Sequence, residues 1–200
     1  MAKFFANLHL VLLTGLVLAV IVIVSFTGWT GTSGTEVAND VLHWLHLFFG
    51  ILWIGLLYYF NFVQVPTMPK VPAELKKGVT GYIAPSALFF FRWGAAFTVL
   101  TGLLIAFLPR GDVKTGFGPN ALMLRGSQGE VMIGIGMWLA LIMAFNVWFI
   151  IWPNQKKILG LVEASDEAKA KAAPVAMIAS RLNVLLSLPM AYCMVNANLT

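Results

Sequence analysis

Two histidines lie three residues apart in one long apolar stretch of the sequence. If the stretch is a helix, six polar, small or aromatic residues fall within about 80° of arc: His43, His46, Gly50, Trp53, Asn61 and Gln64. A polar stripe on such a helix should face other helices, because lipid cannot pair its polar groups. Imidazole can coordinate haem iron or copper, or it can hydrogen-bond to a neighbouring helix. Spacing alone leaves these readings open, although two ligands on one helix cannot occupy opposite faces of a haem.

A second group of polar residues lies in the other apolar stretches. Arg92 and Arg181 are the two basic residues that fall inside them, and three amides are expected in the same third of the layer, at Asn61, Gln64 and Asn146. A polar pocket there, with Asn183 or Arg181 as a further candidate, would suit a small anion or substrate. Arg181 and Asn183 lie on opposite sides of one helix and cannot both point at one narrow site. The alternative is that the amides join helices and the arginines extend to the interface.

The composition explains why these residues stand out. The chain has 200 residues, of which 60% are hydrophobic and 10% charged, against about 25% charged in an ordinary soluble domain. Five stretches can each cross a hydrocarbon layer of about 30 Å, and they lie at about 5–27, 42–65, 86–108, 131–152 and 174–196. We therefore predict an all-α, polytopic membrane helix bundle with five transmembrane helices in a single domain over 1–200.

Prolines and polar residues between the stretches support this division. Pro66, Pro69 and Pro72 are expected to break the second connection, and Pro153 is expected to close the fourth helix. Residues 163–173 are polar and alanine-rich, which predicts a separate short surface helix. The first stretch is longer than a signal-peptide core and is expected to be a retained helix.

Basic residues predict the orientation. The N-terminus and the second and fourth connections carry eight lysines, whereas the opposite side carries Arg110, Lys114 and Arg125. Because cytoplasmic loops are enriched in Lys and Arg, we expect the N-terminus in the cytoplasm. The same reasoning attributes the net charge of +5 to membrane orientation rather than to nucleic-acid binding.

Several chemistries are unsupported. The single cysteine, Cys193, excludes an internal disulfide and a C-x-x-C-H attachment site, so any haem would be held non-covalently. The stretches contain no Ser/His/Asp set, no phosphate-binding glycine loop and no paired carboxylates, which argues against hydrolase and nucleotide-driven reactions.

Four segments together resemble the membrane domain of bacterial membrane-bound urate hydroxylases, the urate oxidase N-terminal family. They are HWLHLFFGILWIGLLYYFNF (43–62), PSALFFFRWGAAFTVLTGLLI (85–105), NVWFIIWPNQKKIL (146–159) and ASRLNVLLSLPM (179–190). The segment from His46 to Gly55 is also similar to the first helix of membrane protoporphyrinogen oxidases and copper-resistance membrane proteins.

This resemblance implies a redox subunit of the bacterial inner membrane that exchanges electrons with a separate cytochrome c or with a cytochrome-containing membrane complex. Haem b would be bound through His46, with His43 as second candidate and Gly50 and Trp53 beside them. A methionine from the fourth or fifth helix, or an open position, would complete the iron coordination. Arg110 or Arg125 would pair with the haem propionates.

Two other functions remain open on the sequence. A non-catalytic accessory subunit of a larger respiratory or photosynthetic complex would also be almost wholly apolar with short connections. A transporter of a small anion or of copper would use Arg92, Asn61 and Asn146. Both the redox subunit and the accessory subunit would belong to a hetero-oligomer.

Overall fold

The computed structural model describes residues 2–27, 34–109 and 116–197, and this part of the chain is helical without a β-strand. Five helices in it are long and apolar enough to cross a membrane. They are α1 (Leu8–Thr27), α2 (Gly34–Lys70), α3 (Ala73–Phe107), α4 (Gln128–Ile158) and α5 (Asp166–Asn196). The predicted number and order of apolar helices are confirmed, but α2 to α5 extend beyond the predicted limits.

The chain divides into two compact units, residues 1–41 and 42–200. The first contains a short helical turn (Ala2–Phe5) and α1, whose apolar side chains are largely exposed. The hydroxyls of Thr14 and Ser25 donate to carbonyls four residues earlier in the same helix, so these side chains need no partner from outside it. A single domain over the whole chain stays a prediction.

The prolines that were expected to end helices lie inside them, so that expectation is wrong for Pro66 and Pro153. A π-helical turn ends two residues before each of Pro66, Pro85 and Pro153: the turns are Tyr59–Gln64, Val79–Ile83 and Asn146–Ile151. Proline lacks an N–H and its ring clashes with the carbonyl four residues earlier. A wider turn, with hydrogen bonds to the fifth residue back, shifts that carbonyl away and lets the helix continue.

The separate surface helix predicted over residues 163–173 is also wrong. These residues lead into α5, which begins at Asp166 and continues without interruption to Asn196. The Ser165 side chain caps the helix by accepting a hydrogen bond from the Ala168 N–H at 3.2 Å. Alanines favour continuation from there, so no boundary forms between the polar and apolar parts.

The N-terminus of α4 is fixed by a capping box. Ser127 accepts from the Glu130 N–H, while Glu130 accepts from the Ser127 N–H. Glu130 also accepts from Asn120 in the five-residue helix Gly118–Leu122. This part of the chain is therefore anchored where α4 begins.

Within residues 42–197, the helices α2 to α5 surround one apolar core. Its largest fully buried side chains include Trp53, Leu57, Phe91, Met143 and Val147. Polar side chains join α5 to the other helices inside this core. The hydrogen bonds run from Asn146 to Asn183 (2.8 Å), from Asn183 to the Met143 carbonyl (3.0 Å), from Asn61 to Ser180 (2.8 Å) and between Tyr58 and Ser187 (2.9 Å).

Replacing Asn183 by alanine should destabilise the protein by about 1–2 kcal/mol, because it leaves the Asn146 side-chain amide without its acceptor and removes one of the hydrogen bonds that the Met143 carbonyl accepts. Thermal unfolding in detergent measures the change. The control is Asn196→Ala, which removes only a bond to the Tyr192 carbonyl in the same helix. Equal unfolding temperatures for the two variants would contradict the role given to the Asn146–Asn183 pair.

Candidate functional site

A cavity of about 800 Å³ lies among α2, α3, α4 and α5. This volume falls within the range of about 300–1,000 Å³ that is typical of sites for small molecules and cofactors. Its wall is mainly apolar. Its polar side chains include His43, His46, Tyr58, Thr98 and Glu130.

His46 is held at the wall of the cavity by the backbone of α3. Its Nδ1 lies 2.9 Å from the Thr98 carbonyl oxygen and 3.3 Å from the Thr101 hydroxyl. A carbonyl only accepts, so Nδ1 carries the proton and donates it to Thr98. The lone pair of the neutral ring then resides on Nε2, for which the described residues provide no hydrogen-bond donor.

Gly102 makes this contact geometrically feasible. It follows Thr98 by one helical turn, and a Cβ added to it would lie 2.8 Å from Cε1 and 3.2 Å from Nδ1 of His46. The first distance is well below van der Waals contact. The imidazole therefore occupies the space that any other residue at position 102 would fill.

The small face of α3 also lets α2 approach closely at a second level. A Cβ on Gly94 would lie 3.3 Å from the Trp53 backbone nitrogen, and a Cβ on Gly50 would lie 3.9 Å from Thr98. Trp53 is fully buried, and its indole N–H has no hydrogen-bond partner among the described residues. A buried donor without an acceptor costs free energy. The Trp53 N–H is thus, after His46 Nε2, a second polar atom for which the described residues supply no partner.

The cavity brings together four residues that the sequence singled out for cofactor binding, namely His43, His46, Gly50 and Trp53. The two arginines expected to pair with haem propionates are placed differently. Arg110 lies outside the described residues. Arg125 is exposed and contacts the sulfur of Met123, although Ser127 and Gln128, shortly after it, do line the cavity.

The residues expected to form a polar substrate pocket do not line this cavity. Asn146 and Asn183 bond to each other, and Asn61 bonds to Ser180 and to the Leu57 carbonyl. Arg181 is exposed on α5. The amides thus act as links between helices, whereas their use in substrate binding stays a prediction.

Arg92 has partners that sequence reasoning did not identify. Its guanidinium carbon lies 3.2 Å from the ring centroid of Trp152 and 5.9 Å from that of Trp148. The signal available in the sequence is the position of Trp152 in the part of α4 that is predicted to be cytoplasmic, at the level predicted for Arg92.

A multi-ligand metal centre is absent from the part of the chain that the structure describes. No group of three or more His, Cys, Asp or Glu side chains lies close enough to hold a metal ion there.

Fold and site define a class: an all-helical protein with five helices of membrane-spanning length and an anchored imidazole at the wall of an apolar cavity. Residues 123–199 match the family model described as urate oxidase N-terminal. The match covers α4 and α5 and confirms that part of the resemblance seen in the sequence. No curated protein and no solved structure matches the chain, and the similarity to the protoporphyrinogen oxidase and copper-resistance proteins stays a prediction.

Gly102→Ala should destabilise the protein by about 1–3 kcal/mol, because the new methyl group overlaps the His46 ring. Gly55→Ala is the matched control, since a Cβ there meets no atom within 4 Å. Unfolding temperatures of both variants should be compared in the presence and in the absence of His46→Ala. The Gly102→Ala penalty should shrink once the ring is gone; an unchanged penalty would show that the two positions are not in contact.

Proposed function

We propose that this chain is a haem b-binding subunit of a membrane oxidoreductase of the urate hydroxylase type, in which His46 is the axial ligand. The observation that carries the proposal is the hydrogen bond from His46 Nδ1 to the Thr98 carbonyl. Metal-bound histidines generally donate their other ring N–H to a carbonyl or carboxylate, which fixes the tautomer and the ring orientation. His46 has this arrangement, and its Nε2 lone pair is available.

The residues around His46 fit a haem in size and chemistry. The cavity has a volume of about 800 Å³ and mainly apolar walls, which suits a large flat macrocycle. Gly50 on the same wall adds no side-chain bulk, and the unpartnered Trp53 N–H is a donor for a polar substituent. When bound, haem would supply reversible one-electron transfer.

The second axial position has candidates on the other helices. Met137, Met190 and Met194 line the cavity from α4 and α5, and a thioether is a known partner of histidine at haem iron. His43 also lines the cavity, but it lies on the same helix as His46 and would replace His46 as a ligand rather than complement it. A second ligand would therefore come from another helix, which favours a methionine.

The role of the protein would then be to hold and orient the His46 imidazole, while the cofactor would carry the electron. Thr98 orients the imidazole and raises its basicity, and the apolar wall limits access of water. Of the two arginines expected to pair with propionates, only Arg125 lies in the part of the chain that the structure describes. Ser127 and Gln128, which follow it in the sequence, line the cavity. A cytochrome c, or a membrane complex that contains one, is the proposed electron partner. This step and the bacterial inner membrane rest on the resemblance and on the family match.

His46→Ala should abolish the b-type band in the reduced-minus-oxidised absorption spectrum of the purified protein, because it removes the axial nitrogen. His9→Ala, on α1, should leave the band unchanged and is the control. Added imidazole should restore absorption in His46→Ala, since the truncated side chain leaves room for it beside Thr98.

Two results would contradict the proposal. One is the absence of a b-type band in wild-type protein produced with sufficient haem, which would favour the accessory-subunit function instead. The other is an unchanged band in His46→Ala. Loss of the band in His43→Ala alone would transfer the ligand role to His43.

A further inference from the structure

Two cationic side chains surround one indole at the end of α4. The Arg92 guanidinium carbon lies 3.2 Å from the ring centroid of Trp152, and the Lys156 ammonium nitrogen lies 5.8 Å from the same centroid. Cation–π attraction holds each charge near the ring. It does not neutralise either charge, so a concentration of positive charge remains around Trp152.

Two of the three nitrogens of the Arg92 guanidinium lack hydrogen-bond acceptors. Its Nε and Nη1 atoms are buried and unpartnered in the part of the chain that the structure describes. The ion pairs in that part join Lys169 to Asp166 and Lys171 to Glu167, so no carboxylate compensates Arg92 or Lys156. An indole face attracts the charge but cannot accept the in-plane N–H bonds of a guanidinium. A buried donor without an acceptor is costly, which points to an anionic ligand from outside the chain.

An exposed aromatic surface adjoins this charge. Trp93 meets Trp148 edge to face at 5.6 Å, and Phe89 and Phe97 lie on either side of Trp93 along α3, at 6.4 and 5.8 Å. Phe89, Trp93 and Phe97 are 49%, 41% and 38% exposed. A ligand that contacts both regions would need an anionic group beside Trp152 and a long apolar part along α3.

We propose that Arg92, Trp152 and Lys156 bind the phosphate of an anionic phospholipid, with an acyl chain lying along Phe89, Trp93 and Phe97. The planar donors of arginine match phosphate oxygens, and basic pockets between membrane helices are suited to anionic headgroups. The site lies at the end of α4 that carries Lys156 and Lys157, on the side that the distribution of lysines predicts to be cytoplasmic. It is independent of His46 and of the proposed cofactor.

Lipid binding to the full-length protein can be measured by native mass spectrometry after release from detergent micelles. We expect phosphatidylglycerol to be retained roughly tenfold more strongly than zwitterionic phosphatidylcholine, and the preference to fall by about that factor in Arg92→Gln, since one charge-assisted contact is lost. Arg181→Gln is the matched control, because Arg181 is exposed and contacts no aromatic ring among the residues that the structure describes. Its preference should equal that of the wild type.

Lys156→Gln provides a second test if Arg92→Gln does not fold. This change should weaken the preference severalfold, and Arg92→Lys should weaken it too, because it keeps the charge and loses the planar donors. Unchanged phosphatidylglycerol retention in Arg92→Gln, or in both fallback variants, would overturn the proposal, as would an equal loss in Arg181→Gln.

Competition with inorganic phosphate distinguishes a lipid headgroup from free phosphate as the bound anion. Millimolar phosphate should not displace phosphatidylglycerol, because the acyl chain contributes to binding. Displacement that depends on Arg92, with no preference among lipids, would assign the site to free phosphate and overturn the lipid assignment. None of these measurements depends on the absorption of a cofactor.

Discussion

The arrangement of this protein depends on one constraint: in an apolar surrounding, a polar group needs a partner within the protein. The contact between His46 and the Thr98 carbonyl is its clearest expression. It requires a histidine on α2, a carbonyl of α3 that can accept a second bond, and a glycine at position 102 that leaves space for the ring. Each of these three conditions alone is common in helical proteins, but together they fix the direction and the tautomer of one imidazole.

Polar side chains meet this constraint in two ways, and a third group of them does not meet it within the described residues. The hydroxyls of Thr14, Ser25 and Thr98 donate to carbonyls of their own helix. Asn146 and Asn183 pair across a helix interface. The indole N–H of Trp53, the Nε and Nη1 atoms of Arg92 and the Oε1 atom of Gln64 have no hydrogen-bond partner in the described residues. The Trp53 N–H is assigned to the proposed cofactor, and the Arg92 atoms are assigned to the proposed lipid.

Sequence reasoning succeeded where a feature depends on composition or on helical periodicity. Five apolar stretches gave five helices, and four residues of the polar stripe on α2, His43, His46, Gly50 and Trp53, line one cavity, although Asn61 and Gln64 do not. Their use in cofactor binding stays a prediction. It failed where the outcome depends on how two helices meet. Nothing in the local sequence relates Gly102 to His46, which is 56 positions away, or Trp152 to Arg92.

The prolines show a different limit. A proline normally indicates a helix end because an ideal α-helix cannot accommodate its ring beyond the first turn. Pro66 and Pro153 follow wide turns that remove this conflict. α5 continues through Pro174 and Pro189 with no wide turn before either of them. The position of a proline in the sequence therefore does not decide whether a helix ends, widens or continues.

All three wide turns occupy the same end of the unit formed by residues 42–197. They lie near the C-termini of α2 and α4 and near the N-terminus of α3, which are neighbouring ends because successive helices run in opposite directions. A π turn contains one more residue than the α turn it replaces, so narrowing it would rotate the adjoining segment by about 100°. The wide turns thus lie in the half of the unit around Trp152, while the half around His46 keeps regular α-helical geometry. Irregular winding and the anchored imidazole therefore occupy opposite ends of the same four helices.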